Sequence, residues 1–127
     1  MTNTLEPQQL AEQVRALMLE NDRATRALGM QVTAIAPGRA TVTMTVRADM
    51  LNGHATCHGG LITTLADSAF AFACNSGNEL TVASGLSIDF VAPGREGDLL
   101  TAEAHEVQAA GRTGVYDVNV HNQRGEL

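Results

Sequence analysis

A chain of 127 residues with 44% apolar and 17% charged side chains is long enough to bury a core unaided, and too apolar and too weakly charged to stay disordered. Eight Arg and no Lys stand against 14 acidic residues, and the resulting net charge of −6 has the wrong sign for drawing a phosphate backbone, which excludes nucleic acid as the expected partner. Aromatic residues make up only 3%, with no Trp, so the core must be built from Ala, Val, Leu, Ile and Met, a composition that argues against stacking platforms for single strands.

The opening stretch MTNTLEPQQLAEQV lacks the basic patch and apolar run of a signal peptide, and no apolar run approaches 18 residues. A soluble, cytoplasmic protein with no membrane partner is expected. From Pro7 to about Leu28 the chain has no Gly and only its initial Pro, and Leu10, Val14, Leu17 and Met18 recur at helical spacing, which predicts an amphipathic helix. After Gly29, the run Met30–Ala36 leads into Pro37-Gly38. In Arg39–Arg47, Ala40, Val42, Met44 and Val46 alternate with Thr41, Thr43 and Thr45. Period two around a Pro-Gly turn predicts a hairpin with one packed face.

Residues 48–58 carry Asn52-Gly53 and two His, an irregular loop that ends where Gly59-Gly60 opens a second helix over about 59–76. Apolar residues occupy nearly every face of that helix, which predicts burial all round. The remaining chain reads as three strands, about Leu80–Ala92, Leu99–Gln108 and Thr113–Asn122, punctuated by Pro93-Gly94, Gly97-Asp98 and Gly111 and expected to meander antiparallel. The pattern has no repeat or linker, so one α+β domain over 1–127 is expected, with an antiparallel sheet wrapped around the second helix. Gln123-Arg124-Gly125-Glu126 resembles one more hairpin turn, so either the sheet closes with five strands or a terminal strand is missing.

Between Asp49 and Glu79 the only formally charged residue is Asp67. A carboxylate inside a wholly buried helix costs several kcal/mol, on the order of a lost ion partner, unless it is paired, hydrogen-bonded or protonated. A cleft-facing catalytic carboxylate accounts for that cost better than a structural Asp. The two glycines at the helix start leave first-turn N–H groups free to hold an oxyanion, with Gly59 or Gly60 as donor to a polarised carbonyl. About 10–12 Å of helix separates these amides from Asp67. One chain's carboxylate therefore does not reach its own helix terminus comfortably, and two antiparallel helices across a dimer axis would share each site.

Three other uses of the loop compete. His54 and His58 are spaced as metal ligands, but in a loop that spacing does not make them converge, so no metal is expected. Cys57 beside His58 could be an activated nucleophile, though a small buried thiol is the simpler reading, and Cys57 and Cys74 are expected to be reduced. Asn52 and His58 either contact substrate or merely organise the loop by turn-type hydrogen bonds.

At these residues the chain resembles a known family. Asn52 to Ala73, with His58-Gly59-Gly60 and Leu65-Ala66-Asp67-Ser68-Ala69, is similar to the hotdog-fold thioesterases of the phenylacetic acid degradation type, and Val82-Ala83-Ser84, Ile88-Asp89-Phe90, Pro93-Gly94 and Gly111–Asp117 are similar to that family's strands and turns. The resemblance implies a hotdog fold and hydrolysis of phenylacetyl-CoA or its ring-hydroxylated derivatives by a dimer of shared sites that assembles into a homotetramer. It implies Asp67 as the catalytic carboxylate, acting as general base or nucleophile. It further implies Gly59 as the carbonyl-polarising amide, with Asn52 and His58 as supporting polar groups. Ser84 is a candidate for positioning water where some relatives place a helper Ser, and Gly60, Pro93, Gly94, Thr113 and Gly114 are further expected substrate or coenzyme A contacts. Arg95 and Arg112, in or beside strand turns, are the expected local cations for the coenzyme A phosphates, which a net charge of −6 does not attract. No cofactor is expected, coenzyme A being part of the substrate. A hotdog hydratase would want a His on the central helix, which this helix lacks. A non-catalytic acyl-CoA binding module would use the same pocket without Asp67.

Overall fold

The computed structural model describes residues 5–127; the first four residues, part of the N-terminal stretch read above for targeting, lie outside the described residues. The elements in order are α1 (Pro7–Asn21), α2 (Arg23–Ala27), β1 (Gln31–Ala36), β2 (Arg39–Thr45), a 3-10 turn (Ala48–Met50), α3 (Gly59–Cys74), β3 (Leu99–Ala110) and β4 (Thr113–His121). The strands form one antiparallel sheet in the order β1-β2-β3-β4.

The alternation read in Arg39–Arg47 is what the sheet uses. Ala40, Val42 and Met44 face inward while Thr41, Thr43 and Thr45 face out, and in register they meet Ala104, Ala102 and Leu100 of β3. Three of those six inward residues are Ala, and α3 brings Ala69 and Ala73 to the same core. Small side chains on both surfaces let the helix lie close to the sheet, with Phe72, Leu65 and Met44 filling the remaining volume. The Pro37-Gly38 turn, with Gly38 at φ +70°, docks on the far end of α3: Gly38 N–H donates to Ser76 Oγ at 2.8 Å, and Glu106 N–H donates to Gly38 O at 2.9 Å.

Two corrections concern the helices. The first is not continuous to Leu28, because the chain breaks at Asp22 (φ −87°, ψ 84°). Asp22 starts α2 as its cap, accepting from Thr25 N–H at 3.1 Å and from Thr25 Oγ1 at 2.7 Å. The buried Thr25 hydroxyl also meets Ser68 Oγ of α3 at 2.9 Å, so a bond spanning 43 residues fixes the break. In consequence α1 turns onto the free edge of β1, where Gln8 Nε2 donates to Ile35 O and Arg15 Nη1 to Val32 O, blunting that edge. The second correction is that α3 is not buried all round. Leu65, Ser68, Ala69, Phe72 and Ala73 face the sheet, whereas Thr63, Phe70, Ala71 and Cys74 are only partly covered and Asp67 and Gly60 are exposed.

The strand expected over Leu80–Ala92 does not form. That segment carries no ladder, and Leu80, Val82, Leu86, Ile88 and Phe90 are all exposed. An alternating apolar pattern supplies strand propensity, but a strand exists only where it pairs with an edge, and among the described residues this segment pairs neither with β1, which α1 covers, nor with the open edge of β4. The other two C-terminal strands form as expected, β3 running two residues further, to Ala110. The final turn is present as well, closed by Gly125 N–H to Asn122 O at 3.0 Å and Asn122 N–H to Glu126 O at 2.9 Å. No helix among the described residues is long and apolar enough to cross a membrane.

Candidate active site

The N-terminus of α3 is held by a loop whose polar side chains bond to backbone. Asn52 Oδ1 accepts from His54 N–H (2.9 Å), Thr56 N–H (3.2 Å) and Thr56 Oγ1 (3.2 Å), and Asn52 N–H donates to Thr56 O at 2.8 Å. Ala55 takes a left-handed φ of 60° inside this closed turn. His58 N–H then donates to Met50 O and Cys57 N–H to Gly94 O, each at 2.8 Å, which ties the helix start to the chain on both sides. His58 is the N-cap, its Nδ1 accepting from Gly60 N–H at 3.4 Å. In this chain, therefore, Asn52 and His58 organise the loop. We expect Asn52→Ala to lower stability by about 1–3 kcal/mol, since several modest hydrogen bonds to one oxygen are lost together, while Asn52→Asp, which keeps the acceptor, retains most of it. Urea midpoints of the two variants check this.

The two glycines differ. Gly60 N–H is capped by His58, and a Cβ there would meet only His58 Nδ1 at 3.6 Å, so sterics do not require glycine. Gly59 N–H has no acceptor among the described residues, and a Cβ there would stand 3.0 Å from Phe90 Cζ. Gly59 is thus a close-approach glycine with a free donor at the positive end of a 16-residue helix. Two grooves lie at this helix start. One is lined by Asp49, Met50, His58, Gly60 and Leu61. The other, like the first about 290 Å³, is lined by Gly59 itself with Cys57, Ile62, Phe90, Val91 and Pro93.

Asp67 lies eight residues along α3 from Gly59, on the face turned away from the sheet, exposed and without a hydrogen bond or ion pair among the described residues. The burial cost expected from sequence is absent in the single chain, because at 100° per residue Asp67 projects nearly opposite Leu65, Ala69 and Phe72. Gly60, seven residues before it, shares that open face. Cys57 is buried, and burial pushes its thiol up, the opposite of what an activated nucleophile needs.

Of the remaining expected contacts, Pro93 and Gly94 join the helix start, Pro93 in the groove lined by Gly59 and Gly94 packed on Cys57 with its carbonyl bonded there. Arg95 follows at once with an exposed side chain, and its N–H donates to the buried Asp98 at 2.9 Å. Gln123 Nε2 also donates to Asp98, at 3.0 Å, and these bonds hold that carboxyl below its usual range. Ser84 sits exposed on the unpaired segment. Arg112, Thr113 and Gly114 belong to the tip of the β3–β4 hairpin. The start of β3, at Leu100, touches Gly94 near the α3 N-terminus, and Glu106 already lies beside the α3 C-terminus. Within one chain the hairpin tip is therefore at the opposite end of the helix from Gly59, on the order of 35 Å along the strand. Phe90 enters the sequence reading only within the Ile88-Asp89-Phe90 strand pattern and not as a site residue: it is 31 positions from Gly59, and no spacing rule links the two.

A family model described as the thioesterase superfamily matches residues 54–127. The chain is 51% identical over 107 residues to the acyl-coenzyme A thioesterase PaaI of Escherichia coli K12, covering 84% of this chain and 76% of that protein. The solved structure of the E. coli PaaI protein from the phenylacetic acid degradation operon superposes with a TM-score of 0.94 at 47% identity, covering 95% of this chain and 88% of that one. A hypothetical thioesterase protein of Streptococcus pneumoniae TIGR4, solved with coenzyme A, superposes with a TM-score of 0.72 at 31% identity, covering 76% of each chain.

Proposed function

Since the chain belongs to the thioesterase superfamily and has its hotdog fold, we propose that it hydrolyses acyl-CoA thioesters at the α3 N-terminus, with arylacetyl-CoA, above all phenylacetyl-CoA or its ring-hydroxylated forms, as the substrate class. The observation that carries this reading is the Gly59 N–H, left without an acceptor among the described residues at the start of α3, beside a groove that Gly59 itself lines. A donor at a helix terminus, left without an internal acceptor, is pre-oriented to bind a thioester carbonyl oxygen and to stabilise the negative charge that grows there on attack. Asp67, exposed and unpaired, is a carboxylate free to remove a proton from water or to attack the carbonyl itself. In either case water adds across the thioester, the C–S bond breaks, and a carboxylic acid and the free thiol of coenzyme A leave.

Eight residues of helix put Asp67 about 12 Å from Gly59 of its own chain, too far for one carbonyl to meet both. The uncovered face of α3, on which Gly60 and Asp67 lie together, supports a two-fold dimer in which antiparallel α3 helices bring Asp67 of each subunit to Gly59 of the other, with pairs assembling into a tetramer. That arrangement also accounts for Arg112: antiparallel helices put the hairpin tip of one subunit towards the helix start of the other. Arg95 of the same chain and Arg112 of the second copy then supply local cations for the coenzyme A phosphates, which a protein of net charge −6 does not attract as a whole. The reading includes no metal or cofactor, and it puts the enzyme in the cytoplasm, where coenzyme A esters are made and used.

Incubation with phenylacetyl-CoA and a thiol-trapping chromophore tests the reading. Release of free coenzyme A through many turnovers per protein chain is expected. Binding without release would make the chain a sensing module and overturn the hydrolytic reading. Single turnover in oxygen-18 water separates the two routes, since label enters the Asp67 carboxylate only if the carboxylate attacks first.

A further inference from the structure

We propose that Thr25 and Ser68 are positioning residues for Asp67: their buried hydroxyl pair fixes the rotation of α3 about its own axis, and with it the place of the carboxylate one residue before Ser68. The inference rests on the reading of Asp67 as the group that attacks the carbonyl or activates water. Ser68 Oγ lies 2.9 Å from Thr25 Oγ1 of α2, with Thr25 only 1% and Ser68 9% exposed. The direction of that bond follows from a third member. Thr25 Oγ1 donates to Asp22 Oδ2 at 2.7 Å, and an ionised carboxylate only accepts, so the single Thr25 hydroxyl proton is committed and Ser68 is the donor to Thr25. The result is a directed chain from Ser68 through Thr25 to Asp22, which ends on a charge and in which each bond strengthens the next.

The packing of α3 explains why such a pin matters. The Thr63 and Thr64 hydroxyls turn back to Gly59 O and Gly60 O, and Cys74 Sγ to Ala71 O. Among the described residues, the Ser68–Thr25 bond is therefore the only side-chain hydrogen bond that joins α3 to another helix or strand. The other contacts with the sheet are apolar, with Ala69 and Ala73 of the helix in one core with Ala40, Ala102 and Ala104. Burial of apolar surface has no direction, and methyl groups make low ridges that resist rolling poorly. Side-chain tips stand about 5–6 Å from a helix axis, so a roll of about 10° carries Asp67 through roughly 1 Å. A misplacement of about that size costs on the order of 100-fold in rate when it falls on a reacting group. The far end of α2 is anchored as well: Ala27 O accepts from Arg47 Nη1 at 3.1 Å, and Arg47 pairs with Asp49, which lines the groove beside Gly60. One short helix thus ties the middle of α3 to the groove at its start.

The test reads kcat and KM for phenylacetyl-CoA at a temperature where thermal melts show every variant folded. Ser68→Ala deletes the bond between the two helices and leaves the Asp22–Thr25 cap whole; it is expected to lower kcat by about tenfold or more while KM stays within threefold. Thr25→Val, which removes the other hydroxyl, is expected to give a fall of similar size, and Thr25→Ser, which keeps it, to restore kcat. Placed in Asp67→Asn and read by single turnover with enzyme in excess, Ser68→Ala is expected to leave the residual rate within twofold, since the carboxylate it positions is already gone. A merely structural role would lower Tm and leave kcat of the folded enzyme in place. A kcat for Ser68→Ala within threefold of the unsubstituted enzyme, or an equal fractional loss with and without Asp67, overturns the positioning role while hydrolysis itself stands. An unsubstituted enzyme that releases no coenzyme A from any ester overturns the hydrolytic reading, and this inference with it.

Discussion

Asp67→Asn is expected to lower kcat for an acyl-CoA by about two to four orders of magnitude, the range that removal of a positioned base or nucleophile produces, with no loss of stability. Both halves follow from where the residue stands. The carboxylate is the only formally charged group on α3, it is unpaired among the described residues, and it is exposed, so the isosteric amide leaves no buried group without a partner and no packing defect. Steady-state release of coenzyme A read alongside a thermal melt checks the two together. Turnover within tenfold of the unsubstituted enzyme would remove Asp67 from the chemistry. A large fall in Tm would mean that its environment in the assembled protein is not the open face of the single chain. KM is expected to change less than kcat, because the proposed role puts the carboxylate at the reacting carbonyl and not along the coenzyme A arm.

Phe72→Ala is expected to cost about 3–5 kcal/mol, the largest effect of any single truncation in this core. Phe72 has no exposed surface and is the largest of the fully buried side chains. Its neighbours in the core include Ala40, Ala69, Ala73, Ala102 and Ala104, residues with no rotamers through which to fill a void. The cavity left by the ring therefore stays open, and the full cavity cost applies on top of the lost burial. Against a typical domain stability of about 5–15 kcal/mol this brings the fold close to its limit. Urea unfolding gives the number; a change below about 1.5 kcal/mol would mean that α3 moves towards the sheet to close the gap.

Much of the architecture was legible as periodicity. The Thr/apolar alternation of Arg39–Arg47 predicts β2 to within two residues, and the Gly-Gly start with the apolar run after it predicts α3, which begins at Gly59 as expected and ends at Cys74. The loop read from Asn52 and His58 is likewise present, because a side-chain oxygen bonding backbone N–H groups two and four residues ahead is a local event. What the pattern could not show is what each apolar face meets. The alternation of Leu80–Ala92 is as clear as that of β2, yet that segment carries no ladder. The run to Leu28 has no breaker residue, yet the helix parts at Asp22 because Thr25 bonds Ser68, 43 residues away. A helix apolar on nearly every face was read as buried, though the sheet covers only the Leu65, Ala69 and Phe72 side.

The candidate site divides along the same line. The amino-acid sequence by itself presented the candidate groups: a lone carboxylate in an uncharged stretch, two glycines at a helix start, and a loop of polar residues before them, all within 16 consecutive residues, with the glycine-to-carboxylate spacing following from helix geometry. Tertiary structure alone decided that Gly59 and not Gly60 holds the free amide, since a cap and a ring from distant positions distinguish two identical residues. It alone decided that Asp67 stands on the open face, that Arg112 lies at the far end of the helix from Gly59, and that Phe90 closes the space beside the amide. Spacing along the chain sets which groups an element can present. Which of them face one another depends on contacts between elements tens of residues apart, and these are fixed only when the helix packs on the sheet.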